Sequence, residues 1–202
     1  RSLPEAGYPD VPGLAPMTPS ARPLLDALDT YLRDLAAAGA VSPEVLVPAA
    51  PEHIAALEAL EGVTVPASLR TFLSRVGSYD LGRCRALEAF EPDFANSMFV
   101  IAARTIPAHY TRSAGVLDPE YWPLGFVPFL WGGSGDFTVV NCDAASPDYG
   151  AVYDLDEAYG VEGGPMDADL TAFLLRSSRE LADGRRVFTS PTVSALDLRR
   201  RP

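Results

Sequence analysis

The chain is 202 residues long, with 27 Asp and Glu against 16 basic residues and a formal net charge of −11. Its 48% apolar and 21% charged residues suffice for one sizeable core and exclude wholesale disorder, and no run approaches the roughly 18 apolar residues of a membrane-spanning helix. So acidic a chain repels nucleic acid and anionic membranes, and neither is an expected partner.

Taken in order, Pro4, Pro9, Pro12, Pro16, Pro19 and Pro23 remove amide donors from the start of the chain, which predicts a proline-rich arm over 1–22. Leu25, Leu28, Leu32 and Leu35 then step by three and four residues, predicting a helix from Pro23 to Ala38 that Gly39 stops. A second helix opens at Pro51 with a stripe of Ile54, Leu57 and Leu60 and closes at Gly62. A third opens at Pro66, carries Leu69, Phe72, Leu73 and Val76 on one face, and ends at Gly77.

Strand signals follow. Met98 to Ile101 is a short β-branched and aromatic run, and Gly125 to Trp131 and Asp136 to Cys142 are two longer ones joined by a glycine-rich turn from Gly132. Pro128 cannot donate to a ladder, so it requires a sheet edge or a bulge. Ala144 to Gly150 is a turn cluster, and Ala151 to Leu155 a fourth strand. Trp131 is expected in the core. A last helix runs from Met166 to Ala182 with Asp167 as its N-cap and Gly184 at its stop, and residues 185–202 form a tail ending in Arg199, Arg200 and Arg201. Helices, then strands, then a helix predict an α+β domain over 23–184, an antiparallel meander of about four to six strands with helices packed on one side.

The chemical candidates are sparse. Gly132-Gly-Ser-Gly-Asp136 lacks the final glycine of a nucleophile elbow and joins two strands, so it reads as a hairpin turn or bulge. His53, at a helix start, and His109, in a loop after Pro107, lack metal-ligand spacing, and Asp154-Leu-Asp156-Glu157 lacks the order of a calcium loop. Cys84 and Cys142 are isolated, which predicts buried reduced thiols; with no charged-then-apolar signal pattern at the start of the chain, the expected location is cytoplasmic. No catalytic residue, metal or cofactor is expected, and the protein is not expected to be an enzyme.

Charge patterning is the main clue. Between Ser113 and Leu175 there is no Lys or Arg but there are eleven carboxylates. Asp136, Asp143, Asp148, Asp154, Asp156 and Glu157 are therefore expected to form an acidic face that binds a basic protein.

Two stretches carry a family resemblance. Gly62-Val-Thr-Val-Pro66 runs into Leu69-Arg-Thr-Phe-Leu73. Phe126-Val-Pro-Phe129 leads through Gly132-Gly-Ser-Gly-Asp136, Asn141-Cys-Asp143 and Gly150-Ala-Val-Tyr153 to Thr171-Ala-Phe-Leu174. Their order and spacing resemble the SUKH superfamily, which includes fungal cell-wall-synthesis regulators and bacterial immunity proteins. The resemblance implies a non-catalytic protein-binding domain, and for the bacterial branch a neutraliser of a cognate protein toxin, here a basic and nucleic-acid-acting one, working as a monomer or weak dimer. The proline-rich arm, the stretch from Asp80 to Pro123 and the tail after Gly184 depart from the family pattern. Two other readings stay open: a small hydrolase or metal-dependent enzyme using the same carboxylates, and a regulatory scaffold that binds several partners through the arm.

Overall fold

A computed structural model describes residues 21–40, 42–86, 93–95, 98–114, 117, 121–132, 135–161 and 163–184. The arm up to residue 20 and the tail from residue 185 lie outside the described residues.

Helix α1 is Arg22–Ala37, and it buries Leu24, Ala27, Leu28, Tyr31 and Leu35. The buried stripe thus runs through Leu24 and Tyr31, while Leu25 and Leu32 flank it half-buried. Next come α2 (Ser42–Val45), β1 (Leu46–Val47), α3 (Pro51–Glu58) and α4 (Ala67–Leu73), then β2 (Ser78–Tyr79) and α5 (Leu81–Ala86). β1 and β2 pair into a small antiparallel ribbon. Both α3 and α4 stop short of the glycines expected to end them, Gly62 and Gly77, because their last turns close at Ala59 and Ser74.

The main sheet consists of β3 (Phe99–Val100), β4 (Phe126–Trp131), β5 (Asp136–Asn141), β6 (Val152–Asp156) and β7 (Gly160–Val161), paired antiparallel in sequence order. That is the expected meander. β4 lies inside it, and Pro128 is accommodated by a register shift between Pro128 and Leu130, so the missing amide falls where the ladder is already broken. Trp131 is half-buried against the core, and Trp122 is 1% exposed.

Strand alternation sorts the side chains of the hairpin. Leu130, Thr138, Val140, Val152 and Asp154 share one face, and Phe137, Val139, Tyr153 and Leu155 the other. The first face meets the helical layer of α1, α4 and α7 (Leu170–Ala182), where Phe129 packs edge-to-face on Phe72 at 5.5 Å and on Phe173 at 5.8 Å. α7 also joins α1 through Ser178, which donates to Asp34. Over the second face lie α6 (Ile106–Ala114) and Trp122, whose ring centroid is 5.3 Å from that of Phe137.

Two local expectations are corrected. α7 is capped by Asp169, which accepts from the Ala172 amide at 2.8 Å, and not by Asp167. Asp167 lies one bridge earlier, its carbonyl accepting from the Val152 amide, and its carboxylate is committed to Arg176. His109 sits in α6, not in a loop: Pro107 occupies the first turn, where its missing N–H would have had no helical partner anyway.

Candidate functional site

The β5–β6 hairpin positions the acidic residues. Asp136 pairs with Asp156, and Thr138 with Asp154, so these side chains share the face that looks toward α7. α7 does not close over them. Between the strand ends and the helix remains a groove of about 330 Å³, lined by Asp136, Thr138, Asp154 and Asp156 on the sheet side and by Phe173 and Arg176 on the helix side. Met98 and Met166 line it as well.

Arg176 is the one arginine lining the groove among the described residues, and it is already committed. Its Nε and Nη2 donate to Asp167 Oδ2 at 2.9 and 2.7 Å, and its Nη1 donates to Glu180 at 2.8 Å. Burial alone would lower its pKa, but the hydrogen bonds to Asp167 and Glu180 outweigh burial and raise it.

At the mouth the chain turns sharply. Asp156 Oδ1 accepts from the Ala158 amide at 2.6 Å and from the Tyr159 amide at 3.1 Å, which fixes the β6–β7 turn and leaves Tyr159 77% exposed. An exposed tyrosine beside carboxylates offers a rigid amphipathic contact at small entropic cost.

The other carboxylates of the expected face are elsewhere. Glu157 turns to α6, accepting from Ser113 Oγ at 3.5 Å and lying 3.9 Å from Arg112. Asp143 and Asp148 lie past the far ends of the strands, about 20 Å away along β5. There Asp143 Oδ1 accepts from the Ala145 amide at 2.9 Å and Asp148 Oδ2 accepts from the Tyr153 hydroxyl at 3.2 Å. The structure thus brings together Asp136, Asp154 and Asp156, and sets Glu157 and the pair Asp143 and Asp148 in two other places.

Burial also shifts two thiols and a histidine toward their neutral forms. Burial pushes the Cys142 thiol well above its ordinary range, and burial followed by Asp80 raises that of Cys84. His109 packs its ring 6.3 Å from Phe137; burial lowers its pKa, Arg112 adds to this, and Glu157 opposes it. Among the described residues, no three His, Cys, Asp or Glu are grouped to hold a metal ion, and no helix is long and apolar enough to cross a membrane.

Sequence reasoning missed Thr138, Phe173, Arg176, Met98 and Met166 as neighbours of the acidic strands. One signal was available: Arg176 is the first basic residue after the carboxylate-rich stretch, and it stands four residues before Glu180 on a helix.

A five-stranded antiparallel meander under a helical layer, with an acidic groove at one end, defines an α+β binding domain of the SUKH kind. The SMI1 / KNR4 family (SUKH-1) matches residues 48–176, and the chain belongs to that family. At the level of the family the role is non-catalytic, in immunity or regulation, and works through protein–protein interaction. No curated protein matches the chain.

Proposed function

We propose that the protein is a cytoplasmic immunity protein that binds and neutralises a cognate basic toxin through the acidic end of its sheet. The observation that carries this reading is the juxtaposition of Asp136, Asp154 and Asp156 on one face of two neighbouring strands, lining one groove. A toxin that acts on nucleic acid needs a cationic cleft, and a concentrated negative field both steers such a cleft into place and competes for it.

The work divides between charge and apolar contact. Long-range attraction raises the association rate, whereas Met98, Met166, Phe173 and the exposed Tyr159 offer surface whose burial slows dissociation. The unit that binds is the domain over 23–184, acting as a monomer or weak dimer. Co-expression with a candidate basic toxin domain tests the reading: the chain should restore growth, and the Asp136→Asn, Asp154→Asn, Asp156→Asn variant should restore much less. Full protection by a folded triple variant would refute the role of the groove.

A further inference from the structure

The end of the sheet opposite the groove carries an exposed surface of its own. Phe126 pairs with Asn141, the Cys142 amide donates to the Gly125 carbonyl at 2.7 Å, and the Asn141 amide donates to the Ala151 carbonyl at 2.9 Å, so the segments before β4, after β5 and before β6 leave the sheet together. The Thr64 amide ties a fourth segment to them by donating to the Cys142 carbonyl at 2.8 Å. Of the six large hydrophobic side chains exposed among the described residues, three stand on these segments: Leu124 at 55%, Tyr121 at 43% and Tyr149 at 40%. Leu124 lies over Gly62, where any side chain would collide with its Cδ2. Apolar residues exposed singly are ordinary, but a patch rimmed by polar groups marks a protein contact.

The rim of this patch is anionic. The Glu61 carbonyl accepts from the Tyr110 hydroxyl, which itself accepts from the Gly125 amide, so Glu61 stands beside the loop of Leu124. Asp143 and Asp148 accept from an amide and a neutral hydroxyl, which leaves their charges in place. None of these three carboxylates forms an ion pair among the described residues. Burial, then Cys142, raise the pKa of Tyr149 and Arg70 opposes them, which makes Arg70 the neighbouring cation; it is already paired with Glu58. A second copy of the chain is a poor occupant, because a two-fold contact would set this rim against its own like charges. A basic partner turns the same repulsion into attraction.

We infer that Leu124, Tyr121 and Tyr149 form a second docking surface, about 20 Å from the groove along β5, for a basic protein segment that carries apolar side chains between its cations. The apolar side chains cover Leu124 and Tyr149, and the cations face Glu61, Asp143 and Asp148. This surface goes beyond the groove and gives a role to the two aspartates, Asp143 and Asp148, that the fold sets apart from it.

The test uses the full chain, labelled at leucine methyl groups and tyrosine rings, and three capped hexapeptides that alternate arginine with leucine, arginine with serine, or glutamate with leucine. The arginine and leucine peptide should move the Leu124 and Tyr149 signals saturably and bind there about fivefold or more tightly than the arginine and serine peptide, and the glutamate and leucine peptide should move neither. Leu124→Ala and Asp148→Asn, both mild changes, should each weaken that response several-fold and leave the thermal midpoint in place. Asp136→Asn, Asp154→Asn, Asp156→Asn should keep it, so a failure of the groove and a failure of this surface are distinguishable. An absent response, or an equal one to the glutamate and leucine peptide, overturns the inference. So does a Leu124 signal that moves with protein concentration alone, which assigns the surface to a second copy, or one that moves in the Arg199→Ala, Arg200→Ala, Arg201→Ala variant without peptide, which assigns it to the chain's own C-terminal segment.

Discussion

Asp136 and Asp156 are direct cross-strand partners at the open end of the β5–β6 hairpin, two like charges at a position where opposite charges would hold the strands together. Opposed like charges destabilise a sheet by roughly 0.2–1 kcal/mol. In the proposed binding role, such a pair sets function against stability. Asp156→Asn keeps an acceptor for the Ala158 and Tyr159 amides and removes the repulsion. It should raise the unfolding free energy by a few tenths of a kcal/mol to about 1 kcal/mol at low salt, by an amount that shrinks as salt is added. Urea titrations at two ionic strengths measure this, and a variant less stable than the parent at low salt would contradict it.

Tyr110 is the tie between α6 and the start of β4. Its hydroxyl accepts from the Gly125 amide at 3.0 Å and donates to the Glu61 carbonyl at 3.4 Å. Tyr110→Phe leaves a buried amide unpaired and should cost about 1–3 kcal/mol. Chemical denaturation measures the loss, and hydrogen exchange should find the Gly125 amide deprotected.

Gly77 is where two pieces of backbone meet. Its amide donates to the Val47 carbonyl at 2.8 Å and its carbonyl accepts from the Ala103 amide at 2.7 Å; a Cβ there would stand 2.1 Å from the Ala49 nitrogen. Gly77→Ala must push backbone aside and should cost at least about 1–3 kcal/mol, with the β1–β2 ribbon opening first. Gly150→Ala meets open space at φ +90° and should cost only the backbone term of about 1–2 kcal/mol. Thermal unfolding of both variants compares them; equal losses would contradict the close-approach account.

That glycine also shows what the sequence could not say. Read along the chain, Gly77 is a helix stop; its contact with Ala49 depends on a ribbon of two two-residue strands, too short for any periodicity to register. The meander was legible because β4, β5 and β6 carry runs of five or six residues bounded by glycine and turn clusters. Pro128 indicated a sheet edge or a bulge, and the strand carries the bulge. α6 was not legible, because Ile106, Tyr110 and Ser113 mix apolar and polar residues on its buried face. At the site, the sequence indicated acidic strands but not their division: Asp156 and Glu157 are adjacent in the chain, yet the first lines the groove and the second turns to Arg112 and Ser113 on α6.

His109 gives the domain a pH dependence of definite sign. Burial, then Arg112, hold its folded pKa below the ordinary 6.5, with Glu157 pulling the other way. The unfolded chain therefore takes up the proton first as pH falls, and the stability present above about 6.5 is lost as pH drops through the folded value. Unfolding midpoints measured from neutral to mildly acidic pH should decline over that interval, and His109→Gln should flatten the decline. An unchanged slope in the variant would assign it to other groups.

The central claim is that the carboxylates of the groove draw a basic partner to this end of the sheet. The most direct measurement is the association rate constant with a purified basic toxin domain that the proposed role calls for, taken at low and high ionic strength for the parent and for the Asp136→Asn, Asp154→Asn, Asp156→Asn variant. The parent rate should fall about tenfold or more as salt rises, and the variant should start near the parent's high-salt rate and change little. Equal rates and equal salt slopes for the two proteins would contradict the account.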